Sequence, residues 1–196
     1  MAGGDLLSDI KAKPLQARIF VVQAGGTLTK YNKRDGKSAM RWVLVTLDKM
    51  GAADLIRWGD PKTKECKSEA KLQEATAILH GAKSSAFFRM QGAGRSARRG
   101  ICTSLSPSSD PTPLAPHRRA LAPASTSFAG TKKDRDWLCF SVVFRERTLD
   151  FAAASAEALL DWYLALAALI PHSSEPVLDE RALRQRIEQM ATAAGA

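Results

Sequence analysis

The residues with the clearest chemistry are the cations of one short stretch, KYNKRDGKSAMR. They are Lys30, Lys33, Arg34, Lys37 and Arg41. Ammonium and guanidinium groups this close together bind phosphate and other multiply charged anions through charge-assisted hydrogen bonds. Lys62, in the next basic stretch, is expected to extend the rim of the same site. The spacing therefore predicts an anion-binding site. Each of its cations would add about 1 kcal/mol to binding at an anionic membrane surface.

Residues suited to other chemistry are sparse. His80, His117 and His172 are far apart and match no metal-ligand spacing. The glycine- and arginine-rich string GAGRSARRG lacks the strand–turn–helix context of a phosphate-binding loop, and no nucleophile-elbow motif occurs. No aromatic residues alternate with the arginines of RSARR and HRR, so stacking on nucleic acid is not expected. We expect no enzyme, no metal and no cofactor.

Charge is concentrated near the N-terminus. The formal net charge is +9, and the stretch from Lys11 to Arg41 holds eight Lys or Arg against one Asp. Such a basic region favours an anionic partner, which is a lipid headgroup, nucleic acid or an acidic protein surface. Three widely spaced cysteines predict a reducing compartment, and no apolar run is long enough to span a bilayer. We expect a cytoplasmic protein, at the periphery of a membrane or of the cytoskeleton.

One segment differs from the rest in composition. Residues from about 91 to 133 hold five of the nine prolines and show almost no periodic apolar pattern. Such a stretch buries too little surface to offset its ordering entropy, which predicts a disordered insertion. The alternative is a docking or phosphorylation segment.

Short strands are predicted on the N-terminal side of the insertion. The apolar and β-branched stretches at 27–32, 40–47 and 53–58 are the first three. The basic stretch PKTKECKSEAK is predicted to be a loop. KLQEATAILHG is predicted to be the fourth strand, with a helix as the alternative, and SSAFFRM a short fifth.

The sequence on the C-terminal side of the insertion predicts two strands and two helices. In LCFSVVF apolar residues alternate, and RTLDFA follows after a short polar break. A helix is predicted from the N-cap Ser155 to about residue 170, with Trp162 on its apolar stripe, and Pro171 ends it. A second, amphipathic helix at about 178–193 presents Leu183, Ile187 and Met190 on one face. That face binds a partner protein or packs on the chain itself.

In this order the pieces resemble the pleckstrin homology (PH) domain, and most of all the PH domains of phospholipase C. The matching stretches are GGTLTKYNKRDGKSAMRWVLV, ADLIRW, LQEATAILHGAKSSAFFRM and LCFSVVFRERTLDFAAASAEALLDWYLALAALI. The resemblance implies a mainly β fold with α, a seven-stranded bent barrel capped by the C-terminal helix. It divides the chain into an extension at 1–14, a PH-like domain at 15–170 and a helical segment at 171–196.

The resemblance also implies a ligand. Family members hold phosphoinositide headgroups at the open end of the barrel, with a lysine on the first strand and an arginine at the start of the second. Lys30 and Arg41 match these positions, while Ala39 stands where the pattern has a further basic residue. We therefore expect a non-catalytic adaptor that binds anionic phospholipid or a protein partner. The alternative is a scaffold component of a cytoskeletal or larger assembly that binds no lipid.

Overall fold

The structure is a computed structural model. It describes residues 7, 9–32, 37–48, 50–84, 136–171 and 173–195. The predicted insertion, most of SSAFFRM, Lys33 and Arg34 lie outside these ranges.

Seven antiparallel strands form one sheet in the order β4-β3-β2-β1-β7-β6-β5. The strands are β1 (Gly26–Tyr31), β2 (Ser38–Leu47), β3 (Ala53–Gly59), β4 (Cys66–Lys71), β5 (Ala75–His80), β6 (Cys139–Phe144) and β7 (Thr148–Ala152). The sheet is open, with β4 and β5 as its edges. The predicted mainly β fold with seven strands and two C-terminal helices is confirmed.

Alternation along the strands separates the two faces of the sheet. Phe140 on β6 and Phe151 on β7 are register partners on the inner face, and both are fully buried. Their ring centroids are 5.5 Å apart. Because burying a side chain of this size contributes about 1.5–3 kcal/mol, this face supplies much of the core. Ser141 and Asp150, also register partners, lie on the opposite face.

The region between β3 and β5 differs from the prediction. Part of the stretch predicted to be a loop forms β4, and the predicted fourth strand divides into a 3₁₀ turn (Leu72–Glu74) and β5. β4 is an edge strand with only Ala70 buried, so it lacks the apolar alternation by which a strand is recognised. Its ladder with β3, rather than its own composition, defines it.

In the described ranges, three α-helices pack on the sheet and on one another. The first, α1 (Leu15–Ala24), was not predicted, although Pro14 before it and Gly25 after it are ordinary helix boundaries. The second, α2 (Ala156–Leu169), is confirmed, and the Ser155 hydroxyl accepts a hydrogen bond from the Ala158 N–H. The third, α3 (Glu180–Ala193), has Asp179 as its N-cap. No helix in the described ranges has the length and apolar character needed to cross a membrane.

Trp162 closes one end of the sheet. It is buried, and a Cβ atom added at Gly26 would lie 3.4 Å from its indole nitrogen. Because Gly26 begins β1, α2 covers the end of the sheet where β1 starts. The opposite end of the sheet, where β1 finishes, is not covered by Trp162.

The apolar face of α3 packs on the chain itself. Leu183 and Ile187, predicted to contact a partner, are fully buried in the same core as the strands, and Met190 is half-buried against that core. The Arg184 guanidinium also donates hydrogen bonds to the carbonyls of Leu7 and Ile10. Of the two alternatives for this face, the structure shows self-packing, because the neighbouring elements already cover its apolar side chains.

Candidate anion-binding groove

A groove of about 700 Å³ lies at the end of the sheet opposite Trp162. It is formed where β1 and β3 end and where β2 and β4 begin. Its lining residues are Lys30, Asn32, Lys37, Ser38, Ala39, Arg41, Trp58, Gly59, Asp60, Lys67 and Ser68. Four of these side chains are cationic, so the groove is suited to an anion.

Strand register brings the cations together. Lys30 on β1 is the register partner of Ala39 on β2, and Arg41 is the partner of Leu28. Paired residues project from the same face, and Leu28 is buried in the core. The inner face is therefore apolar at the covered end of the sheet and becomes basic as β1 and β2 extend beyond the core.

Lys30 is the half-buried cation of the groove. Its Nζ lies 5.3 Å from the centroid of the Trp58 ring. Burial lowers the pKa of Lys30, the charge of Asp150 acts against that shift, and the nearby cations Arg41 and Arg147 lower the pKa further. An anion bound in the groove would offset the repulsion among these three cations.

Arg147 adds a cation that sequence reasoning missed. It lies in the turn between β6 and β7, with its guanidinium carbon 5.9 Å from the Trp58 ring centroid and 5.7 Å from that of Phe144. It also donates a hydrogen bond to the Glu69 carbonyl. Trp58 thus has two cations near its ring, at distances typical of cation–π contacts.

Asp60 contributes a carboxylate to the same groove. Its Oδ1 accepts hydrogen bonds from the backbone N–H of Lys62 at 2.7 Å and of Thr63 at 3.4 Å. The bond from Lys62 is the main cause that lowers the pKa of Asp60, and the charges of Lys62 and Arg41 lower it further. Asp60 therefore stays ionised at neutral pH.

The structure places the predicted site residues differently from one another. Lys30, Lys37 and Arg41 line one groove. Lys33 and Arg34 lie outside the described residues, and Lys62 is exposed on the β3–β4 turn. Ala39 lies directly opposite Lys30, so the position that is basic in the family pattern is filled by a small apolar side chain.

The remaining lining residues come from β3 and β4. Lys67 and Ser68 were not selected because β4 was predicted to be a loop. Trp58 and Asp60, at the end of the correctly predicted third strand, were not selected as site residues. Lys67 is 82% exposed and lies 4.0 Å from Glu65. The available signal was the composition of PKTKECKSEAK, whose lysines already indicated a basic rim.

Groups that could support other chemistry are placed elsewhere. His80 is buried, and its Nε2 lies 2.9 Å from the Trp137 carbonyl oxygen, so we assign it a structural role. Within the described ranges, no cluster of three His, Cys, Asp or Glu side chains could hold a metal ion. Cys66 and Cys139 are both free thiols.

The comparisons with known proteins find similarity to solved structures. No protein-family model and no curated protein matches the sequence. Among solved structures, the chain is similar to inner membrane complex sub-compartment protein 3 from Toxoplasma gondii. The identity is 8%, the match covers 84% of this chain and 90% of that chain, and the TM-score is 0.37. A TM-score of this size carries no argument about function, and the PH family remains an expectation from the sequence.

Proposed function

We propose that this chain is a non-catalytic, PH-type binding module whose groove holds a phosphorylated anionic headgroup at a cytoplasmic membrane surface. The observation that carries the proposal is the convergence of Lys30, Lys37 and Arg41 on one groove at the uncovered end of the sheet. Lys67 adds a fourth cation from β4. The volume of about 700 Å³ lies within the range of pockets that bind small molecules.

The placement of these cations favours binding to a surface. Lys30 and Arg41 lie on paired strands, so their backbones are already ordered before a phosphate enters between them. Met40, next to Arg41, is 62% exposed and available to contact the acyl region beside the headgroups. Each cation near an anionic surface adds about 1 kcal/mol, so the described cations together support weak to moderate membrane binding.

Binding, rather than catalysis, fits the chemistry of the lining. Its described side chains are four cations, one carboxylate, one tryptophan, two serines and an asparagine besides Ala39 and Gly59. Cations around an anion stabilise its ground state, and the described lining residues include no imidazole or thiol that could transfer a proton or attack a bond.

The test is sedimentation with vesicles of phosphatidylcholine, with or without a phosphatidylinositol phosphate. We expect binding to the phosphoinositide vesicles at low salt, and a loss of about fivefold in affinity for Arg41→Gln or Lys30→Gln. Lys71→Gln is the matched control, because Lys71 lies at the other end of β4 and is 68% exposed. Equal binding to both vesicle types, or an equal loss in the control, would contradict the proposal.

A scaffold function is the second candidate, and α1 favours it. Leu15, Phe20 and Val21 are exposed on this helix, whose one charged residue, Arg18, is buried. An apolar helical surface of this kind suits contact with a protein partner. Phe20→Asp should abolish capture of such a partner in a pull-down, while Met50→Asp, at a still more exposed site in the turn between β2 and β3, should retain it. Retention by both variants would exclude α1 as the contact surface.

A further inference from the structure

Asp60 is the one carboxylate among the described lining residues of the groove. It shares that space with Lys30, Lys37 and Arg41, and the charge of Arg41 helps to lower the pKa of Asp60, after the hydrogen bond from Lys62. A fixed negative charge opposes the binding of phosphate, because like charges repel. Its presence in a basic groove therefore bears on which anion the groove accepts.

The turn between β3 and β4 holds Asp60 in place. Besides the two hydrogen bonds to its Oδ1, its backbone N–H donates to the Glu65 carbonyl at 3.1 Å, and its carbonyl accepts from the Lys64 N–H at 2.9 Å. Side chain and backbone are both fixed by local hydrogen bonds. The turn therefore holds the carboxylate at the wall of the groove.

A carboxylate in such a wall distinguishes two kinds of ligand group. It accepts hydrogen bonds and donates none while ionised, so it attracts a hydroxyl and repels a phosphate. The cations from β1, β2 and β4 act in the opposite sense, because ammonium and guanidinium groups favour phosphate. A ligand matched to both has phosphate toward Arg41 and Lys30, and a free hydroxyl toward Asp60.

We infer that Asp60 is a specificity-determining residue that restricts the groove to polyol phosphates with a free hydroxyl beside the phosphate, and disfavours densely phosphorylated ones. The inference rests on the proposed function and names the ligand class within it. A lipid headgroup and a soluble sugar phosphate share this chemistry, so the experiment treats the two sources separately.

The decisive variant is Asp60→Asn. An asparagine side-chain oxygen accepts the same two backbone N–H bonds, so the turn is kept while the charge is removed. Asp48→Asn is the matched control. Asp48 Oδ1 accepts bonds from the N–H of Met50 at 2.8 Å and of Ala52 at 2.9 Å, in the turn between β2 and β3 at the opposite end of the sheet. The two variants change net charge and turn chemistry equally, and only one changes the groove.

Affinities are measured by calorimetry with inositol monophosphate and inositol hexakisphosphate. In parallel, flotation is run with vesicles that contain a phosphatidylinositol monophosphate or trisphosphate. We expect Asp60→Asn to tighten binding of the highly phosphorylated probe roughly tenfold relative to the monophosphate, and Asp48→Asn to leave that ratio unchanged. A shift seen with vesicles assigns the ligand to lipid, and a shift confined to the soluble probes assigns it to a free polyol phosphate. Both support the role of Asp60.

The remaining outcomes separate the two proposals. If the wild type binds the probes and both variants keep its ratio of hexakisphosphate affinity to monophosphate affinity, the role of Asp60 is overturned. The proposal that the groove binds an anion is then unaffected. Hexakisphosphate binding gained only by Asp60→Asn supports the role of Asp60 even where the wild type binds no probe. If neither the wild type nor Asp60→Asn binds any probe, both proposals are overturned.

Discussion

Arg18 and Asp161 form a buried ion pair between α1 and α2, with Nη1 and Oδ1 2.8 Å apart. Lys13 Nζ lies 2.8 Å from the other oxygen of Asp161. Arg18 Nη2 lies 3.0 Å from Glu180 Oε2 on α3 without hydrogen-bond alignment, so we treat this contact as ionic. One guanidinium therefore links α1, α2 and α3, and the N-terminal and C-terminal parts of the chain depend on each other.

Replacing Arg18 by Met should destabilise the protein strongly. The substitution leaves the Asp161 carboxylate buried with Lys13 as its remaining basic partner, and removing one member of a buried pair typically costs 3–5 kcal/mol. We expect a loss of about 3 kcal/mol in the free energy of unfolding, because Lys13 compensates in part. Urea denaturation followed by circular dichroism measures this change.

An exposed pair provides the control for that experiment. Arg57 and Glu69 form a similar contact at 3.2 Å on the surface of the sheet. Because exposed pairs contribute about 0–1 kcal/mol, Arg57→Met should lower the free energy of unfolding by less than about 1 kcal/mol. Equal losses for Arg18→Met and Arg57→Met would show that the buried pair contributes nothing beyond an exposed one.

His80 should make stability depend on pH. Burial lowers the pKa of His80 from 6.5 to about 4, and the charges of Arg186 and Lys83 add to this effect, against the hydrogen bond to Trp137. Between these two values the unfolded chain binds a proton at His80 that the folded chain does not. Its contribution is therefore present at neutral pH and is lost as pH falls from about 6.5 to about 4, a change of roughly 3 kcal/mol.

The comparison is between wild type and His80→Gln in urea unfolding at several pH values. Glutamine keeps a donor for the Trp137 carbonyl but does not titrate. We expect a shallower loss of unfolding free energy with falling pH in the variant, although its stability at pH 7 is lower. Parallel pH profiles would show that His80 is accessible to protons in the folded state.

The sequence predicted those elements whose side chains carry their own signal. The alternation in LCFSVVF and the cap Ser155 predicted β6 and α2 because burial and capping are local properties. β4 escaped prediction because pairing with β3 places it, and only Ala70 is buried along it. For α1, β-branched and aromatic residues weaken helix propensity, and packing against α2 and β2 overrides that weakness.

The residues of the groove likewise include some that the sequence predicted and some that it did not. Lys30 and Arg41 were predicted because they lie on two strands joined by a short hairpin, where spacing along the chain translates directly into proximity. Asp60 reaches the groove because β3 pairs with β2, and Lys67 reaches it because β4 pairs with β3. Spacing along the chain reveals neither proximity. The acidic residue, which bears most on ligand choice, was thus the one that local reasoning missed.

Replacing Gly59 should affect both the stability of the fold and the binding of an anion in the groove. A Cβ atom at this position would lie 1.6 Å from the Glu65 carbonyl oxygen and 2.7 Å from the Cα of Cys66. Both atoms belong to the backbone, so Gly59→Ala forces β4 away from β3 at the point where their register shifts. Because Lys67 lies next to Cys66 on β4, we expect lower stability and weaker anion binding together.

Gly51→Ala separates this effect from the general cost of replacing a glycine. Gly51 has a φ of +81° but no neighbour within 4 Å of the added Cβ, so its cost is backbone strain of about 1–2 kcal/mol. It lies between β2 and β3, at the end of the sheet away from the groove, so anion affinity should be unchanged. Thermal unfolding and vesicle binding are measured for both variants. If Gly59→Ala loses stability but keeps full affinity, β4 contributes nothing to the groove, and the anion is held by β1 and β2 alone.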